Sequence, residues 1–382
     1  MKLTVETKHL EAALKLVARA VPRKSSLPVT QNVLMEVRGN YLQLLGTNLE
    51  VALSAVIRGS DGEDGAVAVP PKALQEVLKG KAESVTLQST PKPVGLSVAL
   101  RGSTIQFNGV DAAEFPPTSK SETPAATVVA SELLKGIAQC LHGVARSDSR
   151  PVLTALCMDL WESGSMKLAS ADSFRLCTYK KGVQKGEPIR VLLPASSARL
   201  LQTAIQGTAP EVITVTLHPD AKGVITAVGF ALLPTKARLG IVKVSLVSQV
   251  VEGTYPSYEQ LMPTDNTTEV IVGRQALLEA VKAAQPFAND SGGSIRLWAE
   301  GGTVGVSAKA EVLGSYSQEL AAEVKGEPGK TAVNITYILE MLAVLKGDNV
   351  SLRFATPSSP MVWADPDDLD YLEVIMPMFI QW

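Results

Sequence analysis

Six times along its 382 residues this sequence runs through the same order of elements. A short apolar run leads into a stretch with apolar residues at helical spacing, and a second apolar run follows. AVAVPPKALQEVLKGKAESVTLQ at 66–88 is the compact example: a strand, a break at Pro70 and Pro71, a helix carrying Leu74, Val77 and Leu78, and a strand at 85–87. The order opens the chain at 3–37 and returns at 128–160, 191–217, 270–298 and 332–354. Copies spaced about 60 to 80 residues apart point to an array or a closed ring.

The spacing predicts helices over 7–20, 70–81, 131–150, 194–207, 273–288 and 334–347. Each has one narrow apolar stripe, such as Leu10, Leu14 and Val17 in the first, so each packs on a sheet and wets its other face. The runs between them, among them 41–48, 51–58, 84–90 and 94–109, are short, alternating and broken by Gly, Asn, Asp and Pro, as in antiparallel sheets joined by tight turns. Two units make a domain of about 120 residues. Polar, Pro-containing stretches at 115–127, with the composition of a linker, and at 263–269 separate three α+β domains: 1–122, 123–263 and 264–382. LLGTNLEVAL at 44–53 is echoed by LASADSFRLC at 168–177. No polar cap helix closes either end, as an open solenoid requires, so closure is favoured, with a head-to-tail contact between identical chains completing the ring.

A net charge of −2 and a pI near 6.1 argue against nucleic acid until the distribution is considered. The six predicted helices carry a net +7 and the remainder −9. Helices sharing one surface would make it basic on an acidic body; equally, exposed helices are commonly Lys-rich. Cys140, Cys157 and Cys177 have neither metal-ligand spacing nor an even framework, which fits reduced cytosolic thiols used as core residues. No signal peptide or membrane span is expected. Neither is an enzyme, a metal or a cofactor. No phosphate-cradling GxxxxGK loop occurs. The run 289–293 around Ser291 has the look of a protease nucleophile loop, but of the histidines His9, His142 and His218 the first two fall on predicted helices. Asp365, Asp367, Asp368 and Asp370 lack the glycine and terminal glutamate of a calcium loop and read as a solvated turn.

Several stretches, in order, resemble one family: MKLTVETKHLEAAL at the start, SSLPVTQNVLMEV at 25–37, LLGTNLE at 44–50, DAAEFPP at 111–117, SDSRPVLTALCMDL at 147–160, SADSFRL at 170–176, VEGTYPSY at 251–258 and VIMPM at 374–378. Together they cover essentially the whole chain and are similar to the bacterial sliding clamps, the beta subunits of DNA polymerase III. The resemblance implies a cytoplasmic, non-catalytic processivity factor: a head-to-tail homodimeric ring of three similar domains per chain, sheets outside and helices lining the hole. Double-stranded DNA would thread the hole without sequence readout, held by phosphate charge and topology. Lys24 and Arg150 match the family's basic DNA-contacting positions; Lys15, Arg19, Lys72, Lys79, Arg146, Arg199 and Lys282 are candidates by helix placement and charge.

The resemblance also implies a groove between the middle and last domains for short linear motifs of DNA polymerase III, the clamp loader and repair polymerases. Carried over by position, it comprises Leu153, Ala171, Ser173, Phe174, Arg175, Leu176, Pro256, Gln260, Leu261, Ser359, Pro360, Val374, Met376, Pro377 and Met378. An apolar patch with Met adapts to several side chains; alternatively 374–378 is a buried terminal strand. The family commonly has Gly and His where Ser173 and Phe174 stand, Arg at Gln260, and Arg after the final MPM, where this chain has Phe379 and ends Ile380, Gln381, Trp382. The groove is therefore expected to be more hydrophobic and differently selective. Phe107 on an edge-like strand, and Pro286 and Phe287 after a helix, match apolar ring-joint positions or are ordinary core. The rival reading is a repeat-built peptide scaffold with no DNA in its hole.

Overall fold

The computed structural model describes residues 1–79, 83–117, 123–147, 149–235 and 240–380. The end of the expected helix 70–81, the close of the first expected domain at 122, and Gln381 and Trp382 lie outside the described residues. All six helices form: α1 Thr7–Val17, α2 Pro71–Leu78, α3 Ala130–Cys140, α4 Ala195–Thr208, α5 Arg274–Asp290 and α6 Ile335–Val344. Each follows one strand and precedes three more, with a short extra strand, Ser60–Glu63, after the first set, giving three similar antiparallel domains of two units each.

The helices sit where the apolar spacing put them because that spacing makes one face. α1 buries Leu10, Ala13, Leu14 and Val17, and α5 buries Leu277, Ala280, Val281 and Ala284. Each such leucine contributes about 2 kcal/mol by leaving water. α2 begins with Pro71, whose missing N–H is harmless in a first turn. The Asn334 side chain caps α6 by accepting from the Thr336 N–H at 2.9 Å.

Contacts divide the chain into two compact units. One comprises Met1–Leu134, Leu160–Ser165 and Gln184–Glu252, the other Lys135–Asp159, Met166–Val183 and Gly253–Trp382. Within each, a pair of strands welds parts of two successive domains. In the first unit Val51–Arg58 pairs antiparallel with Ile241–Gln249, with Ala52 opposite Val247. In the second Arg175–Lys181 pairs with Asp368–Ile375, with Leu176 opposite Val374. In both, the third strand after a domain's first helix meets the third strand after the next domain's second helix.

Several expectations need correction. The third helix does not run over 131–150: it ends at Cys140, followed by 3-10 turns at Leu141–Gly143 and Pro151–Thr154. The apolar spacing continues through Leu141 and Val144, but Gly143 packs so tightly that a Cβ there would lie 2.5 Å from the Cys177 Sγ. The stretch 115–127 is not a free linker either. Phe115 is buried against Val29, Leu45 and Ala68, and Thr123–Val129 is a strand. Pro286 and Phe287 lie inside α5, not after it, and the apolar run 94–109 is two strands, Val94–Leu100 and Ser103–Asn108, split by a turn.

Candidate nucleic-acid interface and peptide groove

Counted over their observed spans the helices carry net +1, not +7, because Arg19, Lys79, Arg146, Arg150 and Lys346 fall past the helix ends and Asp290 falls within α5. Lys15 occupies the last turn of α1 and Arg19 the 3-10 turn beyond, at the end where the helix dipole favours positive charge. With Lys72 of α2 they line one cleft of about 500 Å3 in the first unit, together with Arg23, which the sequence did not single out. No carboxylate lines this cleft among the described residues. Lys24 is exposed next to Arg23, and Arg199 is exposed on α4. Lys79 is exposed but ion-paired to Glu76 at 2.7 Å.

In the second unit Lys282 is exposed on α5. Arg146 and Arg150, expected on a helix, lie in the irregular stretch past α3. Arg146 is paired to Glu340 at 2.6 Å, so part of its charge is already answered. Both arginines line a cleft of about 280 Å3 with Leu153, Ser173, Phe174, Arg175, Tyr337 and Glu340.

That cleft is one end of the expected peptide groove, and a single turn builds it. The Asp172 carboxylate accepts from the Phe174 and Arg175 N–H groups, each at 3.1 Å, and Ser173 takes φ +79°. Such a left-handed conformation costs a non-glycine residue roughly 1–2 kcal/mol. The turn leaves Phe174 60% exposed, and the Phe174 carbonyl accepts from the Met376 N–H at 2.8 Å. Met376 is 43% exposed and Leu261 61%, whereas Leu153, Leu176 and Val374 are buried. Ala171, Ser359, Pro360, Pro377 and Met378 are half-buried, and Pro256 and Gln260 are exposed. The stretch 374–378 is thus part buried strand end and part exposed apolar rim.

Arg175 differs from its expected neighbours. Its guanidinium is buried, donating to Asp172 at 3.0 Å, Glu340 at 2.6 Å and the His142 carbonyl, and it stacks 4.4 Å from the Tyr337 ring centroid. It holds the turn in place instead of reaching outward. Beneath it, His142 Nε2 lies 2.9 Å from the Glu373 carboxylate, which also accepts from the Tyr371 hydroxyl at 2.6 Å. Burial works against charge on His142, but Cys177 and Glu373 beside it push its pKa up to about 11. The Cys177 thiol is raised to about 11, chiefly by burial. All three cysteines are buried and free.

Ser291 and the aspartates at 365–370 are engaged within the fold, and the aspartate run is not simply a solvated turn: Asp365 is buried at the end of the strand Met361–Asp365, and of the aspartates only Asp367 is exposed. The Ser291 hydroxyl donates to the Phe287 and Ala288 carbonyls at the end of α5, and His142, the histidine of the same unit, is engaged with Glu373. Asp365 accepts from the Gly347 and Asp367 N–H groups, Asp368 pairs with Lys135 and Asp370 with Lys181.

The expected joint residues mark two strand edges. Phe107, half-buried, lies on Ser103–Asn108, the outermost strand of a five-stranded sheet in the first unit. In the second unit the strand Gly314–Gly326 pairs with Thr303–Ala310 through its first part and with Thr268–Gly273 only through 322–326. The other side of its first part has no strand partner among the described residues. Phe287 stacks on Tyr316 of that part, with ring centroids 6.2 Å apart.

Comparison with known proteins places this architecture. Family models described as the N-terminal and C-terminal domains of the DNA polymerase III beta subunit match residues 1–119 and 259–379. The chain is 26% identical to a beta sliding clamp from Synechococcus elongatus, over 99% of each chain. It superposes with TM-score 0.89 on the beta subunit from the DNA polymerase of Streptococcus pyogenes, at 20% identity over 99% of this chain and 100% of that one. With the Thermotoga maritima beta subunit the TM-score is 0.86, at 22% identity over the whole of both chains.

Proposed function

Since the chain belongs to the DNA polymerase III beta-subunit family, we propose that it is a ring-forming processivity clamp, without a catalytic site of its own, that encircles duplex DNA and tethers the replicative polymerase. The observation that carries this reading is the repeated weld. Val51–Arg58 with Ile241–Gln249, and Arg175–Lys181 with Asp368–Ile375, join first domain to middle and middle to last by one rule. The same rule leaves one strand at each end of the series without its counterpart: 314–321 in the last domain and Ser103–Asn108 in the first. A second copy, head to tail, supplies both, pairing the start of one with the end of the other. Phe107 then packs toward the Phe287 and Tyr316 stack. A closed sheet also removes edges that would otherwise invite aggregation.

Lys15, Arg19, Arg23 and Lys72, with Lys24, Arg199, Arg150 and Lys282, serve as the DNA-facing cations. Their long exposed side chains suit attraction to phosphates through solvent, which holds the duplex without fixing a register. The exposed apolar rim of Phe174, Leu261 and Met376 over buried Leu153, Leu176 and Val374 takes the apolar side chains of a linear motif from the polymerase, clamp loader or a repair polymerase. This reading puts the protein in the cytoplasm with the replication machinery; among the described residues no helix is long and apolar enough to cross a membrane. The experiment is primer extension by the cognate replicative polymerase with clamp loader and ATP. The wild-type chain lengthens the product of a single binding event, and Phe174→Ala reduces that length. Unchanged product length with and without the chain overturns the reading.

A further inference from the structure

The turn that builds the peptide groove occurs a second time, in the other unit. The Asn48 side chain accepts from the Glu50 and Val51 N–H groups at 3.1 and 2.8 Å, as Asp172 does from Phe174 and Arg175. Leu49 takes φ +77° where Ser173 takes +79°. The Glu50 carbonyl accepts from the Gln249 N–H at 2.8 Å, as the Phe174 carbonyl accepts from Met376. Ala52 stands opposite Val247 where Leu176 stands opposite Val374. A buried aromatic followed by proline flanks each turn: Phe115 then Pro116 here, Tyr255 then Pro256 there. A strained conformation on a bulky, 44% exposed leucine, in the stretch that echoes 168–177, points to a use for the turn.

The two turns differ in their chemistry. Where the first groove presents Phe174 and Met376, the second presents Glu50 and Gln249, and the Gln249 Nε2 donates to the Leu49 carbonyl at 2.9 Å. Its cleft of about 410 Å3 is lined by Leu49, Ala52, Pro116 and Val250 and by the carboxylates of Glu50 and Glu252, with no cation among the described lining residues. The first groove's cleft contains Arg146, Arg150 and Arg175 beside the carboxylates of Asp172 and Glu340, which Arg146 and Arg175 already answer. We propose that this cleft is a second docking site, for an extended peptide that alternates an apolar side chain with lysine or arginine. The apolar side chains rest on Leu49, Pro116 and Val250, and the cations face Glu50 and Glu252. The inference rests on the reading of the first groove, whose turn it copies, and gives one chain docking sites of different charge: one mixed, one with carboxylates and no cation among its described lining residues.

The test uses the full chain and two fluorescein-labelled hexapeptides, one alternating leucine with lysine and one leucine with glutamate, followed by anisotropy. The lysine peptide is expected to bind more tightly, and Glu50→Lys with Glu252→Lys to weaken it about tenfold. Reversing exposed Glu187 and Glu211 in the same unit, a control for net charge, leaves its affinity within about twofold. Equal affinity for the two peptides overturns the proposal, as does an equal loss in the control. Loss on Phe174→Ala also overturns it, because the peptide would then occupy the first groove. If Phe174→Ala shortens primer extension as expected while the lysine peptide ignores Glu50 and Glu252, only the second site fails.

Discussion

Ser173 is held in a left-handed turn by the Asp172 carboxylate, which accepts from the next two backbone N–H groups. Ser173→Gly is therefore expected to raise unfolding stability in urea by about 1 kcal/mol, and a loss would contradict the turn. Arg175, two residues on, answers Asp172, Glu340 and the His142 carbonyl while buried. Arg175→Ala strands those partners and should cost about 3 kcal/mol, whereas Phe174→Ala leaves stability within about 0.5 kcal/mol and acts on peptide affinity. His142 gives the pH dependence. Its folded pKa of about 11 lies above the ordinary 6.5, so the folded state binds the extra proton between those values. That stabilisation is fully present below about 6.5 and is lost as pH rises toward 11. Denaturation midpoints should fall across that window and fall less in His142→Gln; a flat wild-type profile would contradict the His142–Glu373 pairing.

Among the elements, all six helices were legible because a stripe at helical spacing next to strand-length alternation leaves few other foldings. The end of α3 was not: Leu141 and Val144 keep the spacing, and the tight packing of Gly143 by Cys177, distant in sequence, has no local signal. The basic helical face was misplaced for a related reason. Charge summed over helices extended into their flanking turns hid that Arg19, Lys79, Arg146 and Arg150 sit past the helix ends, and nothing local to Arg146 announces Glu340. Arg23 was missed although it adjoins Lys24 and Pro22, since only the fold brings it beside Lys72. The groove was read mainly from family resemblance. Its turn had a local signal, the echo of 44–53 in 168–177, but with leucine and serine at the left-handed positions the backbone conformation was invisible. At this scale the joint is the exposed prediction: Phe107→Asp puts a charge on the Ser103–Asn108 edge and should convert a dimer at micromolar concentration into monomer by sedimentation, with the fold retained. An unchanged mass would place the joint elsewhere.

For the whole molecule, the account requires that retention on DNA come from closure and not from tight contact. On this proposal the cleft of Lys15, Arg19, Arg23 and Lys72 would supply attraction that salt screens, so a merely electrostatic grip would be lost with rising ionic strength from circular and linear DNA alike. A closed ring behaves differently, because threaded DNA stays linked to it even when the phosphate contacts are screened. The direct measurement is the lifetime of clamp loaded by its clamp loader on a primed circular duplex, before and after one cut linearises it. The account predicts persistence on the circle at salt concentrations that abolish simple binding, and rapid loss from the free ends after the cut. Equal lifetimes on the two templates would contradict encirclement and leave a peptide-binding scaffold in its place.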